Sequence, residues 1–469
     1  MIDTQAIRSK ILDLAMRGQL TEQLPEDGTA EDLYQQIQEE KQKLIKEGKI
    51  KKQKPLPKIN DEKIPFDIPK SWKWVRLGKL ISIESGRGLT ASNMNPGDFP
   101  VYGGNGIAGY HNCGFVPSKT IVIGRVGYYC GSVHITEKES WVTDNAFVTS
   151  YPEKHIDKYY LAYTLQHMKL GQNNNGAAQP VVSGKKIYPL SFPLPPLAEQ
   201  KRIVKKIEQV FSILDTTDEL QAQYADNLTT LKSKLIDAAI QGKLIEQLPE
   251  DGTAEELYQQ IQEEKQNLIK KGKIKKQKPL PEITDEEIPF DIPDNWKWVR
   301  MDEITAKVTS GSTPKGGKKS NAYVSDGFPF FREQNIYDDG IHTDGMVYIS
   351  EDLLETRLNS TVIAKDILLN ITGGSIGRCA LIPDDFDRGS INQHILILRM
   401  VKPEIRFYIH KLMCSSYVQN YIKNKAVGDK DGFSGGRCKQ MLIPFPPLAE
   451  QKRIVQKLDE ILPLCERIN

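Results

Sequence analysis

The chain carries one frame twice. Residues 18–77 and 242–301 are near copies, each with a G-T-A-E-[DE]-L-Y-Q-Q-I-Q-E-E-K-Q run, then G-K-I-K-K-Q-K-P-L-P and I-P-F-D-I-P. About four residues in five match over about sixty positions, far beyond chance. A second pair reads P-P-L-A-E-Q-K-R-I-V, from Pro195 and from Pro446. The copies of the first pair are offset by 224 positions (Gly18 to Gly242) and those of the second by 251 (Pro195 to Pro446). The second intervening stretch is therefore about 27 residues longer than the first, and the two do not match in sequence. Two variable modules in one duplicated frame imply two different targets read by one geometry. The middle frame runs unbroken over 195–244, whereas the outer copy is split. Its first half is 446–469, and its second half is 7–20, where I-R-S-K-I-L-D echoes L-K-S-K-L-I-D from Leu231. This arrangement predicts termini that lie close together.

At 469 residues, with 39% hydrophobic and 26% charged residues, the chain is long enough for two or three cores and too apolar to be mostly disordered. It has no apolar leader and no run long enough to span a bilayer, so a cytoplasmic protein with no membrane partner is expected. The six cysteines form no C-x-x-C pair and sit near no histidine pair, which favours reduced, mostly buried thiols over zinc. Net charge is only +2, but 72–193 carries roughly +5 and 296–445 roughly +3, a balance compatible with nucleic acid.

The frame predicts helices. From Ile203 the positions Ile207, Val210, Leu214, Thr217, Gln221, Tyr224, Leu228, Leu231, Leu235 and Ala238 follow in steps of four and three, the a/d seam of a coiled coil. Pro195-Pro196 marks the start and Gly242 the stop of a helix about 65–70 Å long. The outer copy keeps the seam at Ile454, Leu458 and Ile461 and at Ile7, Ile11 and Leu14, so the expected packing is a long antiparallel coiled coil. Two amphipathic helices packed on their own domains are the alternative. A second helix follows Thr29 and Thr253, each an N-cap with an acid (Asp32, Glu256) three residues on. Leu33, Ile37 and Leu44, and Leu257, Ile261 and Leu268, line its apolar face. The Lys-rich run then leads out as an extended arm.

Each module opens on W-K-W-V-R and continues in short β-branched runs broken by glycine turns, with short helices expected over 158–169 and 404–423. The fold class is α+β: two mixed, sheet-dominated domains joined by long helices in a pseudo-two-fold tandem repeat. Catalytic motifs fail one by one. Gly86-Arg87-Gly88 begins a G-x-G-x-x-A with no βαβ unit behind it, and the glycine run from Gly311 has Gly317 where a phosphate loop needs lysine. There is no G-x-S-x-G, no H-E-x-x-H and no proline–aromatic tetrapeptide of the adenine methyltransferases. The E-E-K triplets at Glu39 and Glu263 lie on charged helix faces.

The layout resembles the specificity subunit (HsdS) of type I restriction–modification systems. The residues that carry the resemblance are the two P-P-L-A-E-Q-K-R-I-V blocks, the I-P-F-D-I-P-x-x-W-K-W-V-R openings at Ile64 and Ile288, Y-G-G-N-G at Tyr102, and Ser310-Gly311-Ser312-Thr313-Pro314. The resemblance implies a non-catalytic, DNA-binding subunit of a multisubunit endonuclease and adenine methyltransferase. Each target recognition domain would read one half of a bipartite, asymmetric site in double-stranded DNA. The helices would set the spacing and dock two HsdM methyltransferase subunits, with HsdR joining for restriction. The chain itself would bind no cofactor: S-adenosylmethionine would sit on the methyltransferase partner, and ATP and Mg on the restriction partner. The implied organisation is 1–60 N-terminal helical region, 61–194 first target recognition domain, 195–284 central helical region with its arm, 285–445 second target recognition domain, and 446–469 C-terminal helix. The helix-plus-arm insertions at 29–57 and 253–281 depart from some relatives, and their partner stays open.

Side chains able to pair with base edges are Asn105, His111, Arg125, Asn145 and Gln179 in the first module. Those in the second are Arg332, Gln334, Asn335, Arg378, Gln393, His394 and Arg437. Lys185, Lys186, Lys430 and Lys439 are phosphate candidates. Any of these side chains is equally suited to capping a loop or filling a core. Two readings from other classes stay open: a two-module DNA-acting enzyme with an unrecognised site, and a bivalent coiled-coil adaptor.

Overall fold

A computed structural model describes residues 1–48, 55–59, 64–171, 181–276, 280–314, 322–426 and 432–465. The chain divides into two compact units, 1–222 and 223–469. In the first, α1 (Thr4–Met16), α2 (Ala30–Lys46), β1 (Lys73–Arg76), α3 (Leu77–Leu80), β2 (Ser82–Ser85), β3 (Phe99–Gly103) and β4 (Gly106–His111) come first. β5 (Ile121–Gly124), β6 (Val133–Ile135), β7 (Trp141–Val142), β8 (Ala146–Ser150), α4 (Lys158–His167), α5 (Gly184–Ile187) and β9 (Ser191–Leu194) follow. Helix α6 (Leu197–Ile240) runs through the boundary. The second unit continues with α7 (Ala254–Lys270), β10 (Lys297–Arg300), α8 (Met301–Ile304), β11 (Thr305–Ser310), β12 (Tyr323–Val324), β13 (Phe328–Phe331), β14 (Ile336–Tyr337), β15 (Gly340–Ile341) and β16 (Val347–Ile349). Then come α9 (Glu351–Glu355), β17 (Thr361–Ile363), β18 (Ile367–Asn370), β19 (Cys379–Leu381), β20 (Arg388–Ile391), β21 (Ile395–Met400), α10 (Arg406–Met413), α11 (Ser416–Lys425), α12 (Gly435–Gln440), β22 (Leu442–Phe445) and α13 (Leu448–Ile461).

The modules do not match in sequence, yet each is built on the same antiparallel four-stranded sheet. Its order is β2-β8-β5-β6 in the first unit and β11-β21-β18-β19 in the second. A second sheet, β4-β3-β7 or β12-β16-β13-β20-β17, contains in each case one parallel pair, β3 with β7 and β13 with β20. The period of two along the central strands explains the layering. Ile121 and Ile123 of β5 face a core shared with helices α1, α2, α4 and α6, while Val122 faces a smaller core with Tyr102 and Val142. In β18, Ile367 and Leu369 join the helix-side core and Leu368 joins Phe331 and Ile391. Each central strand is thus buried on both faces, which is why it reads as an unbroken apolar run.

The two ends of each module are clipped together. β1 pairs antiparallel with β9, Lys73 opposite Leu194, and β10 pairs in the same way with β22, Lys297 opposite Phe445. A module of any length can enter and leave such a clip without disturbing the frame. The P-P-L-A-E-Q-K-R block locks it. Glu199 is buried and accepts from Trp72 Nε1 at 2.8 Å, Gln23 Nε2 at 2.5 Å and Thr21 Oγ1 at 3.3 Å. Gln200 donates to Pro195 O at 3.0 Å and accepts from the Asp157 N–H at 2.8 Å. Arg202 holds Asp27 through both guanidinium nitrogens. In the second copy Glu450 accepts from Gln247 and Asn295, Gln451 donates to Pro446 O, and Arg453 pairs with Asp251.

The frame helices form as the caps predict. Thr29 Oγ1 accepts from the Asp32 N–H, and Thr253 does the same for Glu256. Their buried faces hold Leu33 and Ile37, and Leu257 and Ile261, but the next core-facing position is a lysine in each copy. Lys41 Nζ donates to the carbonyls of Gly78 at 2.5 Å and Ile81 at 3.1 Å, and Lys265 Nζ donates to that of Asp302. Each ammonium therefore satisfies carbonyls of the one-turn helix α3 or α8. Burial pushes Lys41 down to about 8.

The long seam is covered only near its ends. Ile203, Val204, Ile207 and Leu214 are buried in the first unit, and Ile236, Ala239 and Ile240 in the second. Between them no residue of α6 is buried, and Leu220, Tyr224 and Leu231 are exposed. The C-terminal buried positions fall one residue beyond the heptad positions Leu235 and Ala238. A straight helix drifts by about 20° per heptad from a 3.5-residue repeat, close to one residue over five heptads. α1 is tied to α6 by Thr4 to Asp218 at 2.6 Å, Arg8 to Asp215 at 2.7 Å, and the Ile2 N–H to Gln221 at 2.5 Å. The helix expected over 404–423 is two helices, α10 and α11, separated at Cys414-Ser415, where Ser415 Oγ accepts from the Val418 N–H as a new N-cap.

Burial holds the imidazoles of His134 and His410 below their usual 6.5, so the fold disfavours protonating either. The unfolded chain binds more protons than the folded one as pH falls below about 6.5. Stability should therefore be complete above that value and decline on acidification towards the depressed folded values. Thermal melts of His410→Gln should show a shallower acid decline than the parent chain.

Candidate nucleic-acid interface

One end of the first module gathers four loops. The β3–β4 hairpin turns at Gly104-Asn105, with Asn105 exposed and Gly106 at φ +87°. A Cβ on Gly104 would stand 2.2 Å from Val126 O, so hairpin and β5–β6 loop touch backbone to backbone. The Arg125 N–H donates to Asn145 O at 2.8 Å, and the Val182 N–H to Arg125 O at 2.9 Å. These bonds bring in the β7–β8 turn, which presents Asn145, and the segment leading into α5, which presents Lys185 and Lys186. The Arg125 guanidinium donates to Ser85 Oγ at 3.1 Å and Asp144 O at 3.2 Å, tying the loops together. Lys186 Nζ reaches Val181 O at 3.0 Å.

The second module repeats this junction bond for bond. Gly124 N–H to Ser132 O becomes Asn370 N–H to Arg378 O; Arg125 to Asn145 becomes Ile371 to His394; Val182 to Arg125 becomes Phe433 to Ile371. Gly131 to Gly124 becomes Gly377 to Asn370, Cys130 to Gly127 becomes Ile376 to Gly373, and Ser132 to Tyr129 becomes Arg378 to Ser375. Gly86 and Gly311 also correspond: a Cβ on either would meet a carbonyl oxygen at 2.1 Å (Val142) or 2.0 Å (Ile391). Asn145 and His394 thus occupy the same place in one backbone design, as do Asp144 and Gln393.

The structure sorts the residues singled out from the sequence. Asn105, Arg125, Asn145, Lys185 and Lys186 converge on the first junction. Arg378, Gln393 and His394 lie at the second, with Gln334 exposed beside it. Asn370 Nδ2 donates to Glu333 O at 2.8 Å and so ties in the loop that bears Gln334. His394 Nδ1 is 2.6 Å from Thr372 Oγ1 and its Nε2 is 3.0 Å from Gln393 Nε2, while Arg378 lies 4.4 Å over Tyr337, itself stacked on His342 at 4.0 Å. Other residues hold loops instead. His111 is buried against Trp141 and accepts from the Asn95 N–H at 3.0 Å. Asn335 is fully buried and donates to His342 O and Asp344 O. Arg332 reaches Gly345 O, Arg437 reaches Lys425 O, and Lys439 Nζ stands 3.5 Å from the buried Asp302 carboxylate. Gln179 and Lys430 lie outside the described residues.

Sequence reasoning missed Tyr128 and Tyr129, 87% and 57% exposed at the tip of the first junction. The signal was present: G-x-x-x-G spacing recurs at Gly127–Gly131 and Gly373–Gly377. Among the described residues no cluster of His, Cys, Asp and Glu could hold a metal ion, and no helix is long and apolar enough to cross a membrane.

The type I restriction modification DNA specificity domain matches residues 69–223 and 293–468, one copy for each clipped module. The chain belongs to this family. It is a DNA-recognition specificity subunit of a type I restriction–modification system, a non-catalytic role. The type I restriction enzyme EcoAI specificity subunit of Escherichia coli is 28% identical over 98% of this chain and 89% of its own length. The EcoEI specificity subunit of the same organism is 25% identical over the same shares. A chain solved in a study of complex assembly and conformational transition of the type I R-M system matches in fold with a TM-score of 0.58 at 18% identity, covering 86% of this chain and 93% of that one. Each of the two family domains of the specificity subunit thus contains one copy of the loop junction.

Proposed function

We propose that each junction reads one half of a bipartite, asymmetric site in double-stranded DNA. The observation that carries this reading is the pair of junctions with the same backbone hydrogen bonds and different side chains. Asn105, Arg125 and Asn145 would meet bases in one half, and Gln334, Arg378, Gln393 and His394 in the other, by the pairings open to amides and guanidinium groups. Lys185 and Lys186 would meet phosphates. The five-part organisation set out above stands as part of this proposal. So does a role for α1, α6 and α13 in spacing the readers and docking two HsdM methyltransferase subunits, with HsdR joining for restriction. S-adenosylmethionine would then be bound by HsdM, and ATP and Mg by HsdR, in the cytoplasm.

Long-read mapping of methylated bases in cells carrying the complete system tests the reading. A two-part motif that disappears when this chain is deleted supports it. Turnover on DNA by the purified chain alone, abolished by a point substitution that leaves the fold intact, overturns it in favour of an enzyme. Charge reversal at Lys185 and Lys186 should weaken binding about equally for all DNA sequences and flatten the salt dependence. Asn145→Ala should relax preference at one base pair, lowering discrimination by roughly 1–3 kcal/mol. Binding titrations at several salt concentrations separate the two effects.

A further inference from the structure

We propose that Tyr128 enters the base stack of the half-site read by the first unit, with Tyr129 bracing it from the side. The inference deepens the reading above and rests on it. Tyr128 is 87% exposed, an unusual place for a large aromatic ring, and the loop that carries it is fastened at both ends. The loop leaves β5 at Arg125, whose N–H and C=O are both bonded to neighbouring segments, and returns through Gly131, whose N–H closes on Gly124 O at 2.7 Å. Gly127 at φ +99° and Gly131 at φ +87° make the turn. The rings are therefore presented on a fixed base beside Asn105, Asn145 and the lysines of α5.

The two rings stand at 85° with centroids 5.0 Å apart. Perpendicular rings cannot both lie parallel to the same base pair. Tyr128 is the more exposed ring, and Tyr129 packs against it in a T-shaped contact. An aromatic side chain in this position can stack on bases of any identity, and a wedge between base steps unstacks and bends the duplex. Specificity at that step then comes from how readily the DNA deforms, with flexible pyrimidine–purine steps favoured.

The second unit supplies the control. Its loop makes the same backbone bonds and carries Gly374 and Ser375 where the first carries Tyr128 and Tyr129. The proposal therefore applies to one half-site only, and the double variant Tyr128→Gly, Tyr129→Ser keeps a backbone that the molecule already builds elsewhere.

The test uses the full chain assembled with its methyltransferase partners. The DNA carries 2-aminopurine at successive positions of the first half-site, away from any base lifted out for methylation. Wild type should raise fluorescence at one step. The double variant should abolish that rise and weaken specific binding by roughly 10- to 100-fold, with the salt dependence of binding unchanged. Tyr128→Trp should keep the rise. Site-specific binding by wild type with no fluorescence rise at any step, or a double variant that keeps both rise and affinity, overturns the inference while leaving the reading intact. Absence of site-specific binding by wild type overturns the reading, and the inference with it.

Discussion

Glu199→Ala should destabilise the clip of the first unit by roughly 2–4 kcal/mol. Three donors converge on this buried carboxylate, from Trp72, Gln23 and Thr21. Trp72 is itself 6% exposed, so removing the acceptor strands an indole N–H out of reach of water. The wild-type group already bears a cost: burial raises its pKa, and the three hydrogen bonds and Arg202 only partly offset that. Glu199→Gln keeps an oxygen for Trp72 and should recover much of the loss. Because the chain has two units, one global unfolding curve would blur the effect. Hydrogen exchange of β1 and β9, compared with β10 and β22, resolves it. Faster exchange confined to the first clip is the expected result. Equal exchange in both clips would mean that strand pairing alone holds the module, and that the P-P-L-A-E-Q-K-R block serves another purpose.

The repeat made the frame legible because both copies are held by largely the same side chains. The caps at Thr29 and Thr253 and the stop at Gly242 could be read from spacing. The identity of the two module folds could not. Their common design lies in backbone bonds and in glycines such as Gly86 and Gly311, whose neighbours are carbonyl oxygens rather than particular side chains. Almost any residue can supply a backbone carbonyl, so the two modules can share this geometry without sharing a sequence. The residues singled out from the sequence divided in a related way. Asn145 and Asn335 are the same amino acid in similar polar stretches, but one is exposed on a turn and the other is fully buried around carbonyls of its own loop. Composition cannot tell an exposed amide from a loop-filling one, because both offer the same donors and acceptors. The lysines at 41 and 265 show the converse. They read as part of a solvated charged face, and carbonyls at the end of a one-turn helix draw them into the core.

Inserting one heptad into α6 between Tyr224 and Leu228 should lengthen the gap between the two proposed half-sites, while both half-site sequences stay the same. The proposed role of α6 as a spacer makes this expectation quantitative. Seven residues add about 10 Å of helix, close to three base pairs of rise at 3.4 Å each. The stretch suits the change. It lies beyond the Ile2–Gln221 bonds that tie α1 to the helix and before Ile236, and none of its side chains is buried. Seven residues return the downstream helix face to within about 20° of its original direction. An insertion of two residues turns that face by about 200° and should cost assembly with the methyltransferase subunits rather than shift the motif. The methylated motif in cells reads both outcomes at once. A heptad variant that methylates at the original spacing would place the ruler outside this helix, in how the modules are held by their partners.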